Sequence, residues 1–172
     1  TTLPKVLHEL TGLSLLEHVI RVTVELKRNF ARSGLERSVK AVHIVASEGL
    51  TRHTSFRQLI EKYSCTFCIQ EEQLGTGHAV LKALPSIPKE ARVLILSGDV
   101  PLTQLDTMQA LSGIDASLVL LVAKLDNPTG FGRIIRDERG DVRAIIEEKD
   151  ASPEQRQIHE IYTGLCCARA SD

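Results

Sequence analysis

The sequence has neither a long hydrophobic run nor an excess of charge of one sign. Its longest uninterrupted apolar stretch, Leu118 to Ala123, is far too short to cross a membrane. Lysine and arginine total 21 against 22 aspartate and glutamate, so bulk charge offers no surface for nucleic acid, although a local anion site is compatible with it. The residues up to Leu16 contain no secretory signal. We therefore expect a cytoplasmic protein without membrane or nucleic-acid partners.

Cysteine is scarce, with four residues in the chain of 172. Cys65 and Cys68 have the spacing of a zinc or redox pair, but the adjacent Cys166 and Cys167 make a poor second pair of ligands. The first pair also falls in a predicted strand, where residues three apart face opposite sides. We interpret all four as inert, partly buried thiols, and not as a disulfide framework.

Several signatures of nucleotide and hydrolase chemistry are missing. There is no G-x-x-x-x-G-K-[ST] loop, no H-E-x-x-H helix and no G-x-S-x-G elbow. The segment from Gly75 to Val80 departs from the dinucleotide fingerprint, because Val80 stands where a small residue is required. The six histidines show no metal-ligand spacing. The chain is therefore not a P-loop protein, and no histidine is assigned a catalytic role.

What the sequence does contain is an alternation of apolar strands and amphipathic helices. The chain is 42% hydrophobic, which is typical of a globular protein with one core. Strands that are apolar on both faces and alternate with helices predict an α/β domain with a mostly parallel sheet, helices on both faces and a small β-hairpin. Helices are expected to start at the capping boxes Ser14–Glu17 and Ser152–Gln155, at Thr51 or Thr54, at Thr76 and at Thr103. Strands are expected at 41–46, 65–70, 93–97, 117–125 and 161–168. The two strands of the hairpin are expected at 133–135 and 142–146.

Two candidate ligand sites follow strands of this sheet, where α/β folds bind ligands. In the segment from Gln70 to Ala79, two glycines let backbone approach a ligand, the helix start favours phosphate, and the Gln70 amide can read a nucleobase edge. The alternative there is a plain turn capped by Thr76. Asp99, just past the strand at 93–97, offers a hard oxygen ligand for Mg²⁺, although a carboxylate that only forms a turn fits equally well.

Three further segments are weaker candidates. The glycines around Phe131, in the loop 127–134, would let a ligand near the backbone, but a loop without a ligand is the commoner explanation. Glu147 could accept hydrogen bonds from sugar hydroxyls, or belong to a solvated charge run. Lys5, beside a rigid proline, could neutralise a phosphate, or be an ordinary surface lysine.

Taken in order, these segments are more specific than any one of them. The chain resembles the N-terminal uridylyltransferase domain of the bacterial bifunctional N-acetylglucosamine-1-phosphate uridylyltransferase / glucosamine-1-phosphate acetyltransferase family, from Leu3 to about Leu165. The residues that carry the resemblance are Pro4–His8, Gln70 with Glu72–Ala79, Gly98–Leu102, Pro128–Ile134, Glu147–Asp150, Glu154–Gln157 and Thr163–Gly164.

The resemblance implies a Rossmann-like nucleotidyltransferase fold. It also implies a Mg²⁺-dependent reaction of UTP with N-acetylglucosamine 1-phosphate, giving pyrophosphate and UDP-N-acetylglucosamine for the cell envelope. Lys5 would contact phosphate, and Asp99 would bind both Mg²⁺ and substrate. Substrate-binding roles are further implied for Gln70, Gly75 and Thr76 at uracil, for Ser97 and Gly98 at the nucleotide, and for Gly132, Glu147 and Tyr162 at the sugar nucleotide.

The chain departs from the family pattern in three ways. A glycine-rich phosphate loop would precede Pro4, and a second metal ligand would follow residue 172, so residues 1–172 are expected to form a domain lacking both ends. Tyr162 stands where the pattern has an asparagine. No hexapeptide-type repeat of an acetyltransferase half occurs. Alternatives therefore stay open: a transferase for another sugar 1-phosphate or nucleotide, or an inactive module that binds nucleotide sugar. A homo-oligomer is also left open.

Overall fold

The structure of the protein is a computed structural model, which describes residues 3–33 and 38–171. Single turns of 3₁₀-helix lie at Lys5–Leu7 and Leu84–Ser86. The strands and helices follow in chain order as β1 (Glu9–Leu10), β2 (Leu13–Ser14), α1 (Leu15–Arg32), β3 (His43–Ala46), α2 (Glu48–Thr51), α3 (Thr54–Lys62), β4 (Thr66–Ile69), α4 (Thr76–Ala83), β5 (Arg92–Ile95), α5 (Leu105–Gly113), β6 (Leu118–Lys124), β7 (Arg133–Arg136), β8 (Val142–Ile146), α6 (Pro153–Arg156) and β9 (Glu160–Arg169).

Besides the short antiparallel pair of β1 and β2, the described strands form two sheets. β3 and β4 pair in parallel, with Ile44 opposite Phe67. The second sheet is built around β9, which has β6 along one edge and β5 and β7 along the other. Cys167 thus lies between Leu94 and Val119. β7 and β8 form the expected hairpin, with Ile134 opposite Ile145.

The α/β class is confirmed, but the expectation of a mostly parallel sheet is wrong for the described residues. There, only β3 and β4 pair in parallel, and β9 runs antiparallel to β5, β6 and β7. The physical reason is that an apolar strand reports burial on both faces and says nothing about the direction of its neighbour. β5 and β6 do run the same way, because both are antiparallel to β9.

The helix starts agree with the sequence only in part. The Ser14 hydroxyl accepts from the Glu17 N–H, but the Glu17 carboxylate binds Lys62 and Tyr63 and does not complete the capping box. The box at α6, with Ser152 and Gln155, is complete. The remaining cap positions of the longer helices differ from the predicted threonines: His53 precedes α3, Gly75 precedes α4, and Gln104 precedes α5.

Two apolar clusters hold these elements together. The first joins α1, α2 and α3 to β3 and is centred on Phe56, which is fully buried. The second packs Leu111 of α5 against Leu165 and Cys167 of β9. Burial of one aromatic or aliphatic side chain of this size stabilises the fold by about 1.5–3 kcal/mol.

The thiols are free, as expected, and Cys65, Cys166 and Cys167 are buried. Burial raises the pKa of Cys65, so this thiol stays protonated and unreactive. Among the described residues, no helix is long and apolar enough to cross a membrane.

Candidate functional site

The loop from Gln70 to Gly75 follows β4 and leads into α4. At the start of the loop, the Gln70 N–H donates to the Ala46 carbonyl at the end of β3 (2.9 Å), which fixes the position of the loop relative to β3. Gly75 is the N-cap of α4 with φ 98° and ψ 179°, a conformation open essentially only to glycine. The Gln70 amide nitrogen donates to the Gly75 carbonyl (3.2 Å) and to Nδ1 of His78 (3.0 Å). The Gln70 side chain therefore stabilises the loop through its hydrogen bonds to Gly75 and His78.

A cavity of about 1100 Å³ opens beside this loop. The start of α4 lines one part of it, and the segment after β8 lines another. Tyr162 and Cys166 of β9 contribute, with Ile95 at the end of β5. Four of the predicted substrate-binding residues thus share one cavity, namely Gly75, Thr76, Glu147 and Tyr162.

Gly132 brings its backbone close to Glu147. A Cβ added to Gly132 would lie 3.0 Å from Cγ2 of Ile145 and 3.6 Å from each carboxylate oxygen of Glu147. The Gly132 carbonyl accepts from the Tyr162 N–H (2.9 Å). Gly132, Glu147 and Tyr162 are therefore neighbours, as the resemblance implies for a common sugar site.

The phenol of Tyr162 is a protonated hydrogen-bonding group at physiological pH. Burial and a hydrogen bond to Cys166 raise the pKa of Tyr162 above its usual value. The side chain is partly buried in the cavity wall. Tyr162 therefore takes up space in the cavity near Gly132 and Glu147 while remaining neutral.

Lys5 and Asp99 form a second centre near the start of α1. Nζ of Lys5 lies 2.8 Å from Oδ2 of Asp99, and the two side chains are 75% and 35% exposed. A Cβ added to Gly98 would lie 3.3 Å from Cδ1 of Leu16. Since Gly98 has so little room, it holds Asp99 close to α1.

The Lys5–Asp99 pair is not part of the cavity wall. Neither residue lines the cavity, nor do Gln70, Ser97, Gly98 and Gly132. Ser97 does reach its border, because a Cβ on Gly164, between Tyr162 and Cys166, would lie 3.2 Å from Oγ of Ser97. The predicted residues thus form a cavity and an adjacent charged pair joined through β5 and β9.

Asp99 fits a divalent cation by the chemistry of its donor. Its carboxylate is a hard oxygen ligand that remains partly exposed while Oδ2 pairs with Lys5. Among residues 3–33 and 38–171, no cluster of three or more histidine, cysteine, aspartate or glutamate side chains has metal-binding geometry. The donor set seen here is therefore one protein carboxylate, which is compatible with Mg²⁺ because that ion takes one or two carboxylates and completes its shell with substrate phosphates and water.

The sequence analysis missed Arg133 and Glu148. The Arg133 side chain, 1% exposed, donates through Nη2 to Oε2 of Glu148 (2.6 Å) and through Nη1 to the Phe131 carbonyl. Glu148 lines the cavity beside Glu147. The available signal was a charged residue at the first position of the predicted strand 133–135, because arginine is rarely buried without a partner.

Comparison with known proteins identifies the class. Residues 14–164 match the family model of the nucleotidyl transferases. A synthetase for CMP:2-keto-3-deoxy-manno-octonic acid, solved with CTP, superimposes with a TM-score of 0.65 over 99% of this chain and 69% of that chain, at 13% identity. The chain belongs to the nucleotidyl transferase family, and the predicted nucleotidyltransferase fold is confirmed. Enzymes of this family generally use a divalent metal.

Curated relatives show which members of this family the chain is similar to. The chain is 44% identical over 173 residues to the bifunctional protein GlmU of Marinobacter nauticus, 42% identical over 178 residues to that of Legionella pneumophila, and 46% identical over 169 residues to that of Halorhodospira halophila. These matches cover 98–99% of this chain but only 33–35% of each relative. The chain therefore spans about a third of the length of these GlmU proteins, and the resemblance found in its sequence is confirmed.

Proposed function

We propose that the chain transfers a uridylyl group from UTP to N-acetylglucosamine 1-phosphate, with Mg²⁺, giving UDP-N-acetylglucosamine and pyrophosphate. The observation that carries this proposal is the cavity itself, in which Gly75 and Thr76 at the start of α4 face the same space as Glu147 and Tyr162. A nucleotide and a sugar phosphate must meet in one cavity for such a transfer. Similarity to the GlmU proteins supports the particular substrates.

The proposed reaction is an in-line displacement at phosphorus. An oxygen of the sugar 1-phosphate attacks the α-phosphorus of UTP, the bond from that phosphorus to the bridging oxygen breaks, and pyrophosphate leaves with the electron pair. The attacking phosphate is already ionised at neutral pH, because its second pKa is about 6. The step therefore needs positioning and charge neutralisation rather than a protein base.

The nucleotide half of the cavity is assigned to the loop before α4. Gln70 fixes the Gly75 carbonyl and His78, which sets the orientation of the first turn of the helix. Backbone N–H groups of that turn can donate to the uracil carbonyl oxygens, since Gly75 leaves no Cβ in the way. Ser97 and Gly98 are assigned to the border between the nucleotide and the metal.

The sugar half is assigned to Gly132, Glu147 and Tyr162. The Glu147 carboxylate can accept from two sugar hydroxyls, and the absence of a side chain at Gly132, which packs against Ile145 outside the cavity wall, lets the backbone lie close to that carboxylate. The protonated phenol of Tyr162 lies on the same side. These three residues orient the sugar so that its phosphate faces the nucleotide.

The charged centre is assigned to the reacting phosphates. Lys5 contributes positive charge that stabilises the leaving pyrophosphate. Asp99 is the residue proposed to hold Mg²⁺, which when bound would neutralise and orient the phosphates. Because UTP is the proposed substrate, the cytoplasm is the proposed location.

The test is to supply the protein with each of the four common ribonucleoside triphosphates, N-acetylglucosamine 1-phosphate or glucose 1-phosphate, and Mg²⁺, and to measure pyrophosphate and the sugar nucleotide. The proposal requires UDP-N-acetylglucosamine to form fastest. Preference for another sugar or triphosphate would overturn the assignment and favour a transferase for another sugar 1-phosphate or nucleotide. The large side chain of Tyr162, where the family pattern has an asparagine, motivates that alternative. Binding of UDP-sugar without pyrophosphate release would favour an inactive binding module.

A further inference from the structure

An ion pair between a buried arginine and a partly exposed glutamate lies next to the proposed sugar site. Arg133, at the start of β7, has a side chain that is only 1% exposed, whereas its partner Glu148 is 33% exposed and lines the cavity. Burying a guanidinium is unfavourable unless its donors are used. The partners of Arg133 therefore show what this residue holds in place.

Those partners belong to three different segments. Nη1 donates to the Phe131 carbonyl, in the loop that leads to Gly132. Nη2 donates to Oε2 of Glu148 (2.6 Å), after β8, and to the Arg156 carbonyl (3.4 Å), at the end of α6. One rigid, planar side chain thus joins the loop before β7 to the segment after β8 and to the end of α6.

Glu148 completes the connection. The same Oε2 atom accepts from the Gly130 N–H (3.3 Å), so the carboxylate links the loop 128–132 to the segment after β8 a second time. The hydrogen bond from Arg133 holds the pKa of Glu148 below its usual value, which keeps the carboxylate ionised. Glu147 precedes Glu148 directly, and its carboxylate lies beside Gly132.

We propose that Arg133 is a positioning residue for the sugar phosphate: through Glu148 and the Phe131 carbonyl it fixes the distance between Gly132 and Glu147. This inference rests on the proposed assignment of Gly132 and Glu147 to the sugar. Arg133 does not line the cavity, and so it acts through its neighbours. The loop from Gln70 to Gly75, which is assigned to the nucleotide, forms no hydrogen bond with Arg133. UTP binding is therefore expected not to depend on Arg133.

The charges around the cavity agree with this role. Glu147, Glu148, Lys149 and Arg156 all line it. Because Arg133 neutralises Glu148, the remaining side chains are one carboxylate and two cations, a balance that favours an anionic substrate. Without Arg133, the Glu148 carboxylate, which lines the cavity, would keep among the described residues only the Gly130 N–H (3.3 Å) and the more distant Nε of Arg156 (4.0 Å) as partners.

The experiment compares Arg133→Lys with Arg136→Lys. Arg136 lies on the same strand and forms a two-pronged pair with Glu160 (2.8 Å for both contacts), away from the cavity, which makes it a matched control. Arg133→Lys keeps the charge but loses the planar fork. The KM for N-acetylglucosamine 1-phosphate should rise roughly 10- to 100-fold, as expected for one lost hydrogen bond to a charged group, while the KM for UTP stays within about twofold.

A second readout does not depend on activity. Hydrogen exchange of residues 128–132 should accelerate in Arg133→Lys and stay unchanged in Arg136→Lys, since the Gly130 N–H depends on the position of Glu148. If Arg133→Lys does not fold, Arg133→Met combined with Glu148→Met replaces the pair by apolar side chains of similar size, a change that proteins often tolerate. The same increases in sugar KM and in exchange are expected.

Equal effects on both KM values, or no effect on either, would overturn the positioning role, as would unchanged exchange at 128–132. Wild-type protein that does not turn over these substrates would instead contradict the proposed function. Hydrogen exchange would then decide the inference by itself, because it reports whether Arg133 holds the loop 128–132 in place.

Discussion

Lys5 and Asp99 are 94 positions apart in the chain, yet Nζ of Lys5 lies 2.8 Å from Oδ2 of Asp99. The pair forms because Gly98, directly before Asp99, packs against Leu16 of α1 and against Val6 of the 3₁₀ turn that contains Lys5. An exposed pair of this kind contributes only about 0–1 kcal/mol to stability. Because the pair adds so little stability, we propose that Lys5 and Asp99 serve the reacting phosphates.

The first prediction concerns Lys5. Lys5→Ala should lower the kcat/KM for pyrophosphate formation roughly 100-fold, the scale of losing one preorganised electrostatic contact in a transition state. Its melting temperature should match that of wild type, because the Lys5 side chain is 75% exposed. Lys89→Ala, an exposed lysine between α4 and β5, is the control and should retain full activity. A Lys5→Ala protein with wild-type kinetics would refute the phosphate contact.

The second prediction concerns Gly132. A Cβ there would press on Ile145 at 3.0 Å and approach the Glu147 carboxylate at 3.6 Å. Gly132→Ala should therefore raise the KM for the sugar phosphate about tenfold and reduce stability by about 1–3 kcal/mol through overpacking. Gly49→Ala, where the nearest atom would be 4.0 Å away, should change neither quantity. Steady-state kinetics and denaturant melts measure both, and an unaffected sugar KM would argue against a sugar at Gly132.

The third prediction concerns Tyr162 and alkaline pH. Because burial raises its pKa, folding favours the neutral phenol; the associated stability is complete below the unfolded pKa of about 10 and is lost as pH rises through the higher folded pKa. The free energy of unfolding should therefore fall above about pH 10, and less steeply in Tyr162→Phe. Denaturant melts across that range measure the slopes, and identical slopes would contradict the burial of the phenol.

The fourth prediction concerns Glu17 and acidic pH. This carboxylate, 8% exposed, accepts from Lys62 (2.7 Å) and Tyr63 (2.8 Å), which ties α1 to α3. Burial favours its neutral form, but these hydrogen bonds prevail and lower the pKa of Glu17 below 4.5. The stabilisation is present above about pH 4.5 and is lost as pH falls through the folded pKa.

Glu17→Gln should therefore cost about 1–3 kcal/mol at neutral pH and flatten the loss of stability in acid. Glu25→Gln, at an exposed position of the same helix, should leave both unchanged. Urea melts between pH 7 and pH 3 give the comparison. If both variants lose stability in acid as steeply as wild type, the buried pair is not what ties α1 to α3.

The sequence predicted most of this fold because local signals agree with it. The run at 93–97 anticipated β5, the Ser14 cap anticipated α1, and the short strands at 133–135 and 142–146 anticipated the hairpin of β7 and β8. The position of β9 between β5 and β6 could not be predicted, since strand direction depends on partners distant in sequence.

The candidate site was predicted to a similar extent. Residues that follow a strand end, such as Gly75 and Asp99, could be proposed from the sequence because α/β folds bind ligands at that edge of the sheet. The buried pair of Arg133 and Glu148 was missed, because a charge run such as 147–150 is normally solvated. Only the folded structure shows that Arg133 contacts Glu148 within this run.

The most direct test of the proposed activity compares Asp99→Asn with Asp115→Asn in pyrophosphate release from UTP and N-acetylglucosamine 1-phosphate. Asp115 is also ion-paired, with Arg92 (3.5 Å) and Arg169 (3.2 Å), although it is more exposed than Asp99. It lies by the start of β5, whereas Asp99 follows the end of that strand. We predict Mg²⁺-dependent turnover in wild type and in Asp115→Asn, and its loss in Asp99→Asn. Undiminished turnover in Asp99→Asn would contradict the account.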